Sequence, residues 1–119
     1  MIISSCDAYV LVDTGATHAC ISEDFLSIYG LVPKSVKDSI MFVNTPLGGG
    51  EKLTRICRAV DVVIDDVHMP IDMLVLPISD FDVVLGMNWL NEYRATIDCP
   101  CMELSLEVGE KQLKHTLVN

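Results

Sequence analysis

Tyr9-Val10-Leu11-Val12-Asp13-Thr14-Gly15-Ala16-Thr17 is the stretch that decides how this chain is read. Four β-favouring residues run into an Asp-Thr-Gly triplet, a pattern that ends a strand in a tight loop and presents a carboxylate at its mouth. The triplet occurs once. No other Asp is followed by Thr or Ser and then Gly, and Asp38-Ser39 continues into Ile40. One carboxylate in such a loop has a narrow repertoire, whereas two that face each other share a proton and divide acid and base roles between them. The single copy therefore points to a dimer.

Outward from the triplet, the pattern is mostly strand. Ala8 to Val12 and His18 to Ile21 are short β-favouring runs. Ser22-Glu23-Asp24 opens a brief helix through Phe25 to Tyr29, with Ser22 as N-cap, acids in the first turn and Gly30 as the stop. Val36 to Val43 returns to strand. Thr45-Pro46-Leu47-Gly48-Gly49-Gly50-Glu51 then reads as a mobile hairpin tip with the character of a lid. Leu53 to Ile64 is a long strand-rich stretch in which Val60, Val62 and Ile64 alternate with Asp61, Val63 and Asp65. Asp65-Asp66 marks a turn. His68 to Leu76 is strand again, with Pro70 at an edge or bulge. Phe81 to Gly86 is a short buried strand, and Met87 to Tyr93 a helix with Trp89 and Tyr93 one turn apart and Trp89 in the core. Thr96 to Asp98 and Met102 to Val108 form a hairpin around Pro100, and Gln112 to Val118 is the last strand. No repeat or linker interrupts the pattern, so residues 1–119 are expected to form a single all-β domain with two short helices.

The bulk properties narrow the function. The 119 residues carry a formal charge of −9, and the pI is about 4.5. Eight scattered Lys and Arg make no basic stripe, which speaks against a nucleic-acid partner. No apolar run approaches the ~20 residues that cross a bilayer, so no membrane partner is expected. Met1 to Asp7 lacks the basic and apolar regions of a secretory signal. Hydrophobic content of 50% and a mean hydropathy of +0.41 leave apolar surface to be covered in an oligomer. The five cysteines, Cys6, Cys20, Cys57, Cys99 and Cys101, are an odd number without a signal, which favours reduced thiols inside a cell. Cys99-Pro100-Cys101 with His18, His68 and His115 matches no standard zinc spacing. Neither a metal nor a cofactor is expected.

Three features coincide: an apolar strand into Asp13-Thr14-Gly15-Ala16, a glycine-rich hairpin in mid-chain, and Val83-Val84-Leu85-Gly86 opening a helix some seventy residues after the triplet. This order resembles the retroviral-type (retropepsin-like) aspartic proteases. The strings from Ala8 to His18, from Asp80 to Leu90 and from Ala95 to Cys99 are most similar to the proteases of gypsy-class LTR retrotransposons. The resemblance covers nearly the whole chain. It implies a closed acid-protease barrel, one protomer of a twofold homodimer, and an aspartic endopeptidase that cuts the element's own polyprotein in the cytoplasm or within virus-like particles.

By the same resemblance Asp13, Thr14 and Gly15 form the catalytic loop, one Asp13 coming from each subunit. Thr14 hydrogen-bonds across to the partner's backbone, and Gly15 lets the backbone crowd the carboxylate. Ala16 and Thr17 floor the substrate site, and Gly48, Gly49 and Gly50 belong to the flap that folds over an extended peptide. Val84, Leu85 and Gly86 support the loop from beneath, with Val43 and Val84 near apolar subsites. Many viral members pair an acid two residues after the triplet's Gly with an Arg after the second-motif Gly. Thr17 and Met87 stand there instead, so both halves of the pair are replaced together.

Two rival readings differ in kind. One is a catalytically inactive module that keeps the fold for dimerisation or peptide binding. The other is a thiol or metal protein built on Cys99, Cys101 and a histidine. The dimer itself has an electrostatic signature, because two chains of −9 repel one another most at low ionic strength. The dimer fraction measured by sedimentation is expected to rise with salt and with mild acid. A fraction that falls as salt rises would contradict it.

Overall fold

The computed structural model describes residues 1–28, 36–45 and 48–117, with 36–45 and 48–54 described by their backbone. The chain opens with a small hairpin, β1 (Ile2–Ile3) and β2 (Cys6–Asp7). Then come β3 (Val10–Val12), β4 (Cys20–Ser22) and helix α1 (Glu23–Ile28). A long antiparallel pair follows, β5 (Val36–Thr45) with β6 (Gly48–Val60). After it lie β7 (Val62–Ile64), β8 (Val67–His68) and β9 (Ile71–Leu76). The last third holds β10 (Val83–Leu85), helix α2 (Met87–Glu92), β11 (Thr96–Asp98), β12 (Glu103–Val108) and β13 (Lys111–Thr116).

The expected balance of many strands and two short helices is present, but the closed barrel is not. Among the described residues the strands form three sheets, ordered β2-β1-β7-β8, β3-β10-β4-β9-β6-β5 and β11-β12-β13. The six-stranded sheet ends in two edges, β3 and β5, which do not pair with each other, so it stays open. Its centre is mixed. β10 runs parallel to β3 and antiparallel to β4, and β4 runs parallel to β9. β10, in the interior of the sheet, is buried on both faces, which explains why Val83-Val84-Leu85 reads as a continuous apolar run, while Val10-Leu11-Val12 on the edge strand β3 is half-buried.

The two-residue period of these strands divides the interior in two. Ile21, Met73, Val75, Val83 and Leu85 point into a large cluster with Phe25, Trp89, Leu104 and Leu106. Their neighbours Cys20, Leu74, Leu76 and Val84 point the other way, into a smaller cluster with Ala16 and Ile78, bordered by Leu11, Ile56 and Phe81. Val60, Val62 and Ile64 are buried as their alternation predicts. Trp89 is fully buried and packs on Tyr93 with ring centroids 5.8 Å apart. Its indole N–H has no hydrogen-bond partner among the described residues, while the Tyr93 hydroxyl donates to Pro70 O at 2.7 Å.

Local chemistry sets the element ends. Ser22 caps α1 as its sequence promises: its Oγ accepts the N–H groups of Asp24 (3.1 Å) and Phe25 (3.3 Å), and donates to Ile78 O (3.1 Å). The expected stop at Tyr29-Gly30 lies outside the described residues. Asp65 and Asp66 both have positive φ, 50° and 63°, in the two-residue turn that joins β7 and β8. Ser4 and Ser5 do the same between β1 and β2, at 48° and 70°. Serines carry little signal for that turn, and the hairpin was not legible in the sequence.

The glycines of the expected lid are placed differently. Gly48, Gly49 and Gly50 are ladder residues of β6, opposite Thr45, Asn44 and Val43 of β5, rather than the loop at a tip. A glycine run lacks the side chains that favour a strand but keeps every backbone donor and acceptor that a ladder uses. Thr45 and Glu51 are ladder residues as well, and Pro46 and Leu47 lie outside the described residues. The long run from Leu53 to Ile64 is also broken, by a register shift between Cys57 and Val60 and a gap at Asp61. The run from His68 to Leu76 divides at Met69-Pro70.

The junction between β10 and α2 leaves no room for a side chain. A Cβ on Gly86 would stand 2.7 Å from both C and O of His18 and 2.8 Å from Ala16 O. These are backbone atoms and cannot rotate away. Gly86→Ala is therefore expected to lower stability by about 3 kcal/mol, read as a fall in the urea midpoint. An unchanged midpoint would show that the loop from Ala16 to His18 has room to move.

Candidate active site

Asp13 follows β3 directly. Its N–H donates to Leu85 O at 3.0 Å, which extends the parallel pairing of Val12 with Leu85 by one bond and fixes where the strand stops. The chain then turns sharply. Asp13 O accepts the Ala16 N–H at 3.2 Å, and Asp13 Oδ1 accepts the Gly15 N–H at 2.8 Å. This is an Asx turn, in which the carboxylate organises the loop that presents it. A Cβ on Gly15 would lie 3.1 Å from Asp13 Oδ1, so glycine leaves the carboxylate uncrowded at that oxygen. Thr14 and Gly15 are exposed and Asp13 is half-buried, whereas Ala16 is fully buried. The loop thus stands on Ala16 and opens to solvent at the triplet.

The second motif holds this loop from beneath through hydrogen bonds. Met87 N–H donates to Ala16 O at 2.7 Å and Asn88 N–H to Thr17 O at 3.2 Å. The first turn of α2 thereby spends two of its unpaired N–H groups on the loop's carbonyls. Asn88 does more. Its Oδ1 accepts the N–H groups of Ala19 (2.8 Å) and Trp89 (2.9 Å), and its Nδ2 donates to Asp72 O at 3.2 Å. The sequence placed Asn88 within a helix and gave it no role. The signal available was one amide side chain between Gly86 and Trp89 in an otherwise apolar run.

Asp13, Thr14, Gly15, Ala16 and Thr17 therefore share one loop; Val84 packs its side chain on Ala16, Leu85 meets the loop through its carbonyl while its side chain points into the large cluster, and Gly86 lies against the Ala16 and His18 backbone. Val84 is fully buried beside Ala16. Gly48, Gly49 and Gly50 lie on the β5–β6 ribbon, and no described hydrogen bond joins them to the loop. Where the viral acid–Arg pair would stand, Thr17 Oγ1 lies 3.0 Å from His18 Nδ1, and the Met87 backbone takes up the link to the loop.

The thiols stand apart from this chemistry. Cys20 is buried on the inner side of the site, and its pKa is raised to about 12 by burial and, to a lesser degree, by the charge of Asp13. At physiological pH it is a neutral wall rather than a nucleophile. Cys99 and Cys101 are exposed and free on the turn after β11. Among the described residues no group of three or more His, Cys, Asp or Glu side chains is placed to hold a metal ion. No described helix is long and apolar enough to cross a membrane.

The chain thus offers, at this loop, one half-buried carboxylate held by a backbone N–H. Among the described residues no second carboxylate hydrogen-bonds to it. Hydrolysis of an amide calls on an acid and a base together, and among the described residues this loop carries one carboxylate.

Comparison with known proteins places this arrangement. No curated protein sequence matches the chain. Among solved structures it is similar to the retroviral protease-like domain of Ddi1 from Leishmania major, with a TM-score of 0.66 and 18% identity over 88% of this chain and 78% of the other. That likeness is one of fold. The sequence profile described as retroviral aspartyl protease matches residues 1–112, from the first hairpin through the start of β13. With nearly its whole length matched, and Asp13-Thr14-Gly15 set on the loop at the end of β3, the chain belongs to the retroviral aspartyl protease family.

Proposed function

We propose that this chain is one protomer of a homodimeric aspartic endopeptidase in which the Asp13 of each copy supplies half of the catalytic pair. The observation that carries the reading is the state of Asp13, anchored by Gly15 N–H, exposed at its mouth, and present once per chain. Two such loops related by a twofold axis bring two carboxylates to one water. A pair a few ångströms apart holds a single shared proton and titrates as a unit. The ionised member takes a proton from the water, which attacks the scissile carbonyl carbon. The protonated member donates to the carbonyl oxygen, giving a gem-diol. Transfer of a proton to the amide nitrogen then breaks the C–N bond. In this reading Thr14, exposed beside Asp13, bridges to the partner's loop and the exposed Thr17 meets the substrate, while Ala16, fully buried, supports the floor from beneath.

The substrate is an extended polypeptide, and the β5–β6 ribbon that carries Gly48 to Gly50 is the part of the fold suited to cover it. Likeness of the strings around Asp13 and Gly86 to retrotransposon proteases favours the element's own polyprotein as that substrate. The five free cysteines suit a reducing compartment, cytoplasm or virus-like particle.

Asp13→Asn removes the shared charge and keeps the size of the side chain. Cleavage of a peptide library between pH 4 and 7 is expected to fall by about a thousandfold, with the fold and the mass in solution retained. Undiminished hydrolysis would remove Asp13 from the mechanism. A wild-type dimer that binds peptides and never cleaves them would show a binding module instead.

A further inference from the structure

Strand β6 has two kinds of neighbour. From Arg55 to Val60 it pairs with β9 on one side, while from Gly48 to Cys57 it pairs with β5 on the other. In the described backbone ladder, residues 48–54 thus pair with β5 and not with β9, in a ribbon that runs roughly 20 Å past the last β9 pair. A two-stranded ribbon is marginal by itself, so its direction is set at its root.

The root is a bulge. Cys57 pairs with Met73 and Val60 with Ile71, so Arg58 and Ala59 of β6 together oppose Asp72 of β9. Ala59 has a φ of 52°, a left-handed conformation that disfavours a residue with a Cβ. Its displaced N–H donates to Asp72 Oδ1 at 2.9 Å, and Arg58 Nη1 donates to Asp72 Oδ2 at 3.0 Å. One carboxylate therefore fills the gap that the bulge opens in the ladder. The backbone carbonyl of the same residue accepts Asn88 Nδ2 at 3.2 Å, and Asn88 Oδ1 accepts the Ala19 N–H at 2.8 Å. Asn88 also gives its N–H to Thr17 O in the loop that follows Asp13. Ala59, Asp72 and Asn88 line one cavity, so the three are neighbours in space as well as in bonding.

We propose that Asp72 is a positioning residue: its carboxylate pins the bulge from which the β5–β6 ribbon springs, and its carbonyl, through Asn88, ties that root to the loop that carries Asp13. The ribbon and the loop then hold a fixed relation although no hydrogen bond among the described residues joins them directly. Strain at Ala59 is sustained by the clamp, and loss of the clamp lets the root relax and the ribbon swing.

Amide exchange read residue by residue on the full chain tests this without reference to catalysis. Asp72→Ala is expected to speed exchange at the Ala59 and Ala19 amides by about tenfold or more, the effect of losing a hydrogen bond to a charged acceptor. The amides of β12, in a separate sheet, are expected to keep their wild-type rates. Asp72→Asn keeps an acceptor for Ala59 and loses only the charge facing Arg58, so both amides should stay within about fivefold of wild type. Adding Ala59→Gly to Asp72→Ala removes the conformational penalty and should restore protection at Ala19. Faster exchange at Ala59 with Ala19 unmoved would show that root and loop are independent. No change at Ala59, or equal acceleration in β12, would equally overturn the proposal. A kinetic arm rests on the protease reading: Asp72→Ala should raise KM for a peptide while kcat is held, and Ala59→Gly should reverse it. A fall in kcat with KM unmoved would contradict the role. Should the wild type fail to cleave, that reading fails and the exchange rates still decide this one.

Discussion

The structure depends on a contact that leaves no room for a side chain. Gly86 lies against the carbonyls of Ala16 and His18 so closely that a single added carbon would overlap both. That approach lets the first turn of α2 reach the loop after Asp13 and give it two N–H groups. The proposed chemistry of the chain depends on this placement. The loop that presents Asp13 is not a free turn on the end of a strand. It is fixed on one side by β10 through the Asp13 N–H bond to Leu85, and from beneath by α2. The proposed hydrolysis calls for a carboxylate held in this way, because a displacement of an ångström from productive geometry costs rate steeply.

The same rigidity exposes what the protomer lacks. Asp13 is organised by its own loop and half-open to solvent, and Thr14 and Gly15 beside it are exposed. The neighbouring buried thiol of Cys20 is held neutral and brings neither charge nor nucleophile. In the proposed dimer this loop, with its one carboxylate, forms one side of a symmetric meeting. The β5–β6 ribbon shows the same economy of means. Much of its length has one neighbour, so its direction rests on a bulge and on the one carboxylate of Asp72 that fills it.

Much of this was legible in the residues. Asp13-Thr14-Gly15 after an apolar run announces a strand that ends in a carboxylate loop, and Ser22 before Glu23 and Asp24 announces a cap, because in both cases the chemistry is local. The burial of Val60, Val62 and Ile64 follows from their period alone. What was not legible depends on partners distant in sequence. Gly48 to Gly50 read as a loop and are ladder residues, since pairing with β5 supplies what their composition does not. Asn88 and Asp72 gave no signal, because their value lies in bonds to Ala19 and Ala59, 69 and 13 residues away. The open sheet in place of a closed barrel is likewise a matter of which edges meet, and no run of residues encodes that by itself.

Specific activity measured over a range of protein concentrations, with the mass in solution followed in the same samples, tests the central claim most directly. If each Asp13 is half of a reacting pair, cleavage per chain rises in proportion to the dimer fraction and vanishes on dilution to monomer. Full activity per chain at concentrations where the protein is monomeric would contradict the account.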